Sequence, residues 1–533
     1  HRTIMDATAS STLPRAREVD RGLDKAIPFE SILGEGASVH TAEQPDCFHD
    51  LGLDQIVEAV VSPWKDYDLG GFFHASLSSE DAIVYRQEVM RDLEQPDIMA
   101  AVRGFTDRLV GMRQQLPLAT KSYNEHERNR WHLGAVQRYG EAITTLRQEL
   151  TSLLLRSRGL RRWREYIERY SQSSSFTRLM EQAAWLERDL AAITYTVTIE
   201  GADVSVRRYA DEPDYTAEIE QTFAKFRRGA VKDYLAKLPV TVGLNHIEAQ
   251  VLDCVARLNP EVFGALSIFR QEHQVFVDPQ VERFDREIHF YIGWLAFIAP
   301  FKRAGLAFDY PDVSNATKDI EVHSGFDLAL GRRLLGEQQS IVCNDFNLHG
   351  EERMIVITGP NQGGKTTFAR MFGQLHWLAC IGCSVPAAQA QLFLFDRMFS
   401  HFEREEDIRN LRGKLHDDLV RMHHILAQTT PRSIVVINEI FSSTTLEDAL
   451  YLGDEVLKRL AQLDAITVCV TFLDELASLS PSVVSMVAAI DPVDPTARSF
   501  RLERRPADGL AHALAIAEKY HVTGDWLKKR IPP

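Results

Sequence analysis

The chain has 533 residues, of which 45% are hydrophobic and 25% are charged, so it is long enough for two or more domains with separate cores. It contains 60 Lys and Arg residues against 75 Asp and Glu residues, and the net charge of -15 argues against a protein that coats nucleic acid indiscriminately. We expect no membrane span and a cytoplasmic location, because no apolar run of about 18 residues is free of charge.

The first part of the chain has mainly helical periodicity. Residues 1–28 carry Ser, Thr and charged residues without a period, and we predict a flexible leader there. Over residues 29–190 apolar side chains recur three and four positions apart, as at Leu53, Ile56 and Val60. This spacing places apolar side chains on one helix face, so it predicts long packed helices.

A short β-hairpin interrupts the helical pattern. Residues 193–199 and 204–209 alternate apolar and polar side chains on either side of a turn that contains glycine. Such alternation predicts two paired strands, which we place within 191–215. The helical period returns after residue 215 and runs to about residue 307, and we assign 216–335 to the returning helices.

A basic stretch lies inside the acidic chain. Residues 121–170 contain 11 Lys and Arg residues against 6 Asp and Glu residues, and the arginines are densest where Trp and Tyr residues lie between them. Such a stripe could follow a phosphate backbone, and the alternative is a solvated helix face with its aromatic residues packed inward. The candidate arginines for such phosphate contacts are Arg156, Arg158, Arg161, Arg162 and Arg164.

The pattern changes again in the last part of the chain, residues 336–533. Short apolar runs alternate there with Gly-rich turns and helices, and these runs are 341–343, Met354–Thr358, 434–437 and Ile466–Val470. Continuous apolar runs are typical of parallel strands that are buried on both faces. We therefore predict that a C-terminal α/β domain follows the helical part.

A glycine-rich loop follows the apolar run Met354–Thr358 directly and fits the pattern GxxxxGK[ST] between a strand and a helix. In this pattern the glycines let backbone N–H groups surround phosphates at a helix N-terminus, Lys365 reaches the β and γ phosphates, and the Thr366 hydroxyl can bind Mg²⁺. ATP and Mg²⁺ are therefore the predicted cofactors. The predicted nucleotide-binding residues are Gly359, Pro360, Asn361, Gln362, Gly363, Gly364, Lys365, Thr366 and Thr367.

Ile341 is a predicted apolar wall for the adenine ring, although an ordinary strand residue would have the same sequence signature.

A second strand signal, 434–437, is followed by Asn438 and Glu439 in the form of a Walker B strand. The usual Asp is Asn438 here, and an amide keeps an oxygen ligand for Mg²⁺ but loses the negative charge, so we expect slow turnover. Glu439 is the candidate general base, and the alternative is a Glu that only caps the strand end.

Three stretches together resemble the MutS family of DNA mismatch repair ATPases. They are TGPNQGGKTT at 358–367, IGCSVPA at 381–387 and NEIFSSTT at 438–445. The specific likeness covers about 336–530, and in the helical part it rests on DLGLDQI at 50–56 and on general character.

The resemblance implies a helical core and lever region at 29–190 and 216–335, with the hairpin at 191–215 as a small clamp and the arginine stripe near DNA. The alternative for the hairpin is a plain structural hairpin within the core. It also implies a C-terminal P-loop ATPase domain of the ABC type over 336–533. In this family the ATPase domains dimerise across shared nucleotides, so we expect a homodimer.

The departures from the family pattern modify these expectations. Too few residues precede the helical part to form the domain that reads mismatches, so direct mismatch reading is not expected. The family's signature serine is missing, so contact with the partner's γ-phosphate either comes from Lys414 or is absent. Phe472 replaces the histidine that senses hydrolysis in the family.

The leading hypothesis is an ATP-dependent DNA-binding protein that holds duplex or branched DNA as a dimeric clamp. One alternative is a MutS-like ATPase that acts on ribosomes in translation quality control. Another is a regulatory scaffold that binds ATP and hydrolyses it little.

Overall fold

The computed structural model of the protein describes residues 29–34, 43–201, 203–210, 244–360, 363–403, 413–490 and 498–507. The predicted leader, residues 1–28, lies outside these ranges. Contacts divide the chain into two compact units. The first unit comprises His1–Phe29, Pro96–Leu154 and Arg162–Val281, and the second comprises Glu30–Gln95, Leu155–Arg161 and Glu282–Pro533. The domain boundaries predicted at 190, 215 and 335 stay predictions.

The described α-helices are α1 (Cys47–Leu51), α2 (Leu53–Val61), α3 (Gly70–Phe73), α4 (Glu80–Leu93), α5 (Pro96–Lys121), α6 (Glu125–Ser152), α7 (Arg158–Ser171), α8 (Ser174–Ala191), α9 (His246–Leu258), α10 (Pro260–Glu272), α11 (Pro279–Arg303), α12 (Leu328–Gly336), α13 (Lys365–Cys380), α14 (Lys414–Gln428) and α15 (Leu446–Gln462). Short 3-10 helices cover Ser62–Tyr67 and Asp474–Ser478. Among the described helices, none is both long and apolar enough to span a bilayer.

The described strands are β1 (Tyr195–Glu200), β2 (Asp203–Arg208), β3 (Asp312–Ser314), β4 (Ile320–Gly325), β5 (Asn344–Leu348), β6 (Met354–Thr358), β7 (Gln389–Phe393), β8 (Met398–Phe402), β9 (Ile434–Asn438), β10 (Ile466–Val470), β11 (Val483–Ile490) and β12 (Arg498–Arg504). They form three sheets. Helices and mixed sheets are therefore both present, as the sequence predicts.

The first unit is mainly helical. The long helices α5 and α6 pack against each other, and Asn124 caps α6 by accepting a hydrogen bond from the Glu127 amide at 3.1 Å. Leu133 and Val136 of α6 pack with Leu186 of α8 in a buried apolar cluster. The predicted hairpin is present as the antiparallel pair β1–β2. Its turn includes Gly201 at φ 66°, a left-handed conformation that favours glycine.

A six-stranded sheet organises the second unit. Its strand order is β12-β11-β6-β10-β9-β8, and all neighbours are parallel except β11 and β12. Every residue of β6, β9 and β10 is buried, as expected for parallel strands covered on both faces. A second, four-stranded sheet has the order β3-β7-β4-β5 and is mostly antiparallel.

Two strand predictions in this region differ from the structure. The apolar run 341–343 is not a strand, because pairing begins only at Asn344, which lies opposite Gly325 of β4. The strands Asp312–Ser314 and Ile320–Gly325 lie within a range predicted to be helical. They are short, and their mixed apolar and polar residues do not produce a clear period over so few positions.

Candidate nucleotide-binding site

The glycine-rich loop joins β6, an inner strand of the six-stranded sheet, to α13. Gly359 has φ 108°, and a Cβ atom there would lie 3.0 Å from the backbone nitrogen of Ala488. A Cβ atom on Gly363 would lie 2.8 Å from the Ala488 Cβ and 3.0 Å from the Pro360 carbonyl oxygen. Gly364 caps α13 with φ 93°. The loop therefore requires glycine for its close approach to β11 and for its left-handed turns.

Lys365 is the first residue of α13 and is only 4% exposed. Its Nζ atom donates to the carbonyl oxygens of Gly359 at 2.7 Å and Pro360 at 3.3 Å. The ammonium group therefore lies against the loop, at the end of a 16-residue helix where the backbone dipole also favours negative charge. These features together suit the binding of a phosphate group.

Thr366 and Asn438 bring the loop and the end of β9 together. The Thr366 hydroxyl donates to the Asn438 Oδ1 atom at 3.0 Å, although 72 positions separate the two residues in sequence. Asn438 is nearly buried, with 9% of its surface exposed. Both oxygens are neutral, and the described residues contain no group of three or more His, Cys, Asp or Glu side chains arranged to hold a metal. The pair therefore fits a Mg²⁺ ion that a nucleotide brings with its phosphates, rather than a cage made by protein carboxylates.

Glu439 begins a tightly turned loop after β9. Its φ is 55°, and its backbone N–H donates to the Val470 carbonyl at 2.9 Å. The buried Phe441 in the same loop has φ 59°. Left-handed backbone at two non-glycine residues costs about 1–3 kcal/mol each, so the surrounding structure must hold this loop in place.

Lys414, the candidate for contact across a dimer, has a partner within its own chain. It forms an ion pair with Glu403, which was not anticipated from the sequence. Phe472, which replaces the family's switch histidine, follows β10 and is 47% exposed. The preceding residue, Thr471, donates its N–H to the Ile357 carbonyl at 3.0 Å, which ties the end of β10 to β6. Contact of Lys414 with a partner's nucleotide and altered sensing of hydrolysis at Phe472 stay predictions.

Phe500 was missed by sequence reasoning. This residue of β12 has φ 55°, is 47% exposed, and its carbonyl oxygen lies 3.4 Å from where a Cβ atom on Gly364 would be. Asn344 holds β12 in place, because its side chain donates to the Phe500 carbonyl at 3.2 Å and accepts from the Leu502 amide at 2.8 Å. Phe500 lies in no recognisable motif, so only the strand pairing reveals that it lies next to the loop.

Ile341, the predicted adenine wall, is half-buried. Its Cδ1 atom would be 3.4 Å from a Cβ atom on Gly331, so Ile341 packs close to α12. Its contact with a base stays a prediction.

Of the other predicted nucleotide-binding residues, Pro360 and Thr367 lie at the two ends of the loop region, whereas Asn361 and Gln362 lie outside the described residues.

The predicted arginine stripe contains side chains in different settings. Arg158 is held by Asp81 at 2.7 Å and by Glu88 at 3.1 Å, whereas Arg156 and Arg161 are exposed. Arg162 is also exposed and Arg164 is half-buried. DNA contact by these five arginines stays a prediction.

The aromatic residues of the stripe pack within their own unit. Trp163 is 0% exposed and stacks on Tyr166 with a centroid distance of 5.5 Å. Tyr166 stacks in turn on Tyr170 at 6.1 Å. These aromatic rings are therefore packed inward, as in the alternative interpretation of the stripe as a solvated helix face. They are not arranged to stack on bases.

Comparison with known proteins gives a partial match that includes this site. Residues 355–518 match the family described as MutS domain V. Over 151 residues the chain is 34% identical to the DNA mismatch repair protein MutS of Thermotoga sp. (strain RQ2). This alignment covers 27% of the chain and 19% of that protein, so the likeness spans about a fifth of the relative's length.

Proposed function

The chain belongs to the MutS family through its C-terminal part, and from this we propose that it binds ATP with Mg²⁺ at the loop after β6 and hydrolyses ATP slowly. The observation that carries the proposal is the contact between Thr366 and Asn438 at 3.0 Å, next to the buried Lys365. This contact places a hydroxyl, an amide oxygen and an ammonium group around the N-terminus of one helix. That chemistry suits a nucleoside triphosphate and its metal ion.

In this proposal each residue has a separate task. Lys365 binds the β and γ phosphates, and backbone N–H groups of the glycine-rich loop surround them. A bound Mg²⁺ ion would neutralise part of the phosphate charge, and Thr366 and Asn438 would hold it. Glu439 orients the attacking water and accepts its proton. Because Asn438 contributes no charge to the metal, turnover is slow.

We also propose that the protein binds duplex or branched DNA as a homodimeric clamp, without reading mismatches. The support is the family likeness together with the exposed side chains of Arg156 and Arg161. The matched range, 355–518, includes neither the hairpin nor the arginines. The DNA proposal therefore depends on its own experiment.

A regulatory scaffold that binds ATP without turning it over is a second candidate. The specific observation in its favour is Asn438, because the loss of a carboxylate weakens metal-assisted hydrolysis. Steady-state ATP turnover of purified protein, with and without DNA, separates the two candidates. Wild-type turnover above background supports the ATPase, and turnover that stays at background with Glu439 intact supports the scaffold.

Binding to perfect duplex, mismatched duplex, branched DNA and ribosomes tests the partner. Each is measured with ATP, with ADP and without nucleotide, at two salt concentrations, because phosphate contacts weaken as salt rises. Nucleotide-dependent binding to DNA that gains nothing from a mismatch is the expected result. Binding to ribosomes alone would refute the DNA proposal.

A further inference from the structure

Two acidic residues follow neighbouring strands at the edge of the sheet that carries the site. Strands β8 and β9 are parallel, and Phe402 lies opposite Asn438 in their register. Glu403 and Glu439 are the next residues of each strand. Because adjacent strands are about 4.8 Å apart, the two residues leave the sheet side by side.

The Glu403 carboxylate joins three segments of the second unit. Its Oε1 atom accepts a hydrogen bond from the Ser442 hydroxyl at 3.0 Å. The same oxygen accepts from the Nζ atom of Lys414, the first residue of α14. Ser442 lies three positions after Glu439, in the loop that contains the left-handed residues. One side chain therefore contacts the Glu439 loop and the start of α14 at the same time.

We infer that Glu403 is a positioning residue for ATP hydrolysis, because it fixes through Ser442 the loop that presents Glu439. This inference rests on the proposed function. The Glu439 amide donates to the Val470 carbonyl at 2.9 Å, and the buried side chains of Ile440 and Phe441 pack in the apolar core. Glu403 adds a polar contact to the next residue of the loop, Ser442, where the apolar packing ends. The unusual backbone of the loop is therefore held on both sides of its buried residues.

Lys414 supports this role electrostatically. The hydrogen bond from Lys414 holds the pKa of Glu403 below its ordinary value, and the bond from Ser442 acts in the same direction. The carboxylate therefore stays ionised at neutral pH and keeps accepting from the Ser442 hydroxyl. As long as the ion pair persists, Lys414 is also held within its own chain.

The experiment compares Glu403→Ala, Ser442→Ala and the double variant with the wild-type chain. A misplaced general base lowers kcat, and we expect a fall of about 10- to 100-fold in each single variant, with the Kd for ATP within about twofold of wild type. The double variant should lose no more than Glu403→Ala alone, because both substitutions remove the same contact. Asp454→Asn is the matched control, since it breaks the exposed ion pair with Lys458 within α15, and its kcat should be unchanged.

A second readout does not depend on turnover. Hydrogen exchange of the peptide covering residues 439–445 in nucleotide-free protein should be faster in Glu403→Ala and Ser442→Ala than in wild type or Asp454→Asn. Wild-type protein without turnover would refute the ATPase proposal, whereas the exchange rates would still decide whether Glu403 fixes the loop through Ser442. Unchanged exchange in both alanine variants would overturn the inference, as would a loss of ATP affinity with normal kcat.

Discussion

The Thr366 hydroxyl donates to the Asn438 amide oxygen at 3.0 Å across 72 positions of sequence. Thr366 is the second residue of α13, and Asn438 ends the buried strand β9, which lies two places from β6 in the sheet. The contact brings together the two parts of the chain that the sequence predicted to bind nucleotide and metal. The side chain at position 438, which we propose faces the metal, is therefore an amide and not a carboxylate.

Restoring the carboxylate should strengthen metal binding. In an Asn438→Asp variant we expect half-maximal ATPase activity at a Mg²⁺ concentration about tenfold lower, because a charged ligand binds Mg²⁺ more tightly than an amide. The rate of turnover should rise with it. The measurement is a Mg²⁺ titration of ATPase activity, and a titration curve unchanged from wild type would show that position 438 does not face the metal.

Removing the Glu439 carboxylate should separate binding from hydrolysis. A Glu439→Gln variant should keep its affinity for ATP and lose about 100-fold or more in turnover, since the amide cannot accept the proton of the attacking water. Calorimetric titration with ATP and a phosphate-release assay measure the two effects. Wild-type turnover in this variant would favour the interpretation of Glu439 as a strand cap.

Closing the space beside Gly363 should distort the loop. In a Gly363→Ala variant the new Cβ atom would lie 2.8 Å from the Ala488 Cβ, and overpacking of this kind costs about 1–3 kcal/mol. We expect at least about tenfold weaker ATP binding and partial recovery in a Gly363→Ala, Ala488→Gly double variant.

Gly336→Ala is the matched control for this prediction, because nothing lies within 4 Å of a Cβ atom there. Its ATP affinity should equal that of wild type. Normal ATP binding by Gly363→Ala would contradict the loop geometry.

His376 should make stability depend on pH. It is fully buried in α13, and burial lowers the pKa of His376 from 6.5 to about 4. The unfolded chain therefore binds a proton that the folded chain does not, so stability is lost as the pH falls from about 6.5 to about 4. The loss from this residue is about 3 kcal/mol.

Chemical denaturation at several pH values measures the effect of His376. The free energy of unfolding of a His376→Leu variant should fall less over this range than that of wild type. His424→Gln, at an exposed position of α14, is the control and should follow wild type. A parallel pH dependence in all three proteins would show that His376 does not titrate in this way.

Arginine substitutions test the DNA surface. Arg156 and Arg161 are exposed. If either side chain contacts a DNA phosphate, its substitution by Ala should reduce by about one the slope of the logarithm of the DNA binding constant against the logarithm of the salt concentration. Arg158 is engaged by Asp81 and Glu88, so Arg158→Ala should leave the slope unchanged. Equal slopes in all three variants and in wild type would show that DNA binds at another surface of the protein.

The sequence predicted the features that depend on local pattern. Strands β6, β9 and β10 are continuous apolar runs, and the hairpin β1–β2 alternates regularly, so their positions follow from residues close together in the chain. The glycine-rich loop was recognised for the same reason, and its roles in binding remain predictions.

Features that depend on pairing between distant residues were not predicted. Strand β5 begins at Asn344 because pairing with Gly325 of β4 begins there, and the Asn344 side chain contacts β12, more than 150 positions away. The proximity of Phe500 to the loop and the contact between Glu403 and Ser442 also result from strand order in the sheet. A single sequence carries no local signal for such contacts, because they depend on long-range register.

Equilibrium binding of ATP with Mg²⁺ to the wild type and to a Lys365→Ala variant tests the central claim most directly. Lys365 is buried against the loop carbonyls, and Lys458→Ala at an exposed position of α15 serves as the control for the loss of one positive charge. We predict that wild type and Lys458→Ala bind ATP equally, and that Lys365→Ala binds at least about tenfold more weakly, because a charge-assisted phosphate contact is worth about 1.5–3 kcal/mol. Equal affinity of all three proteins for ATP would contradict nucleotide binding at this loop.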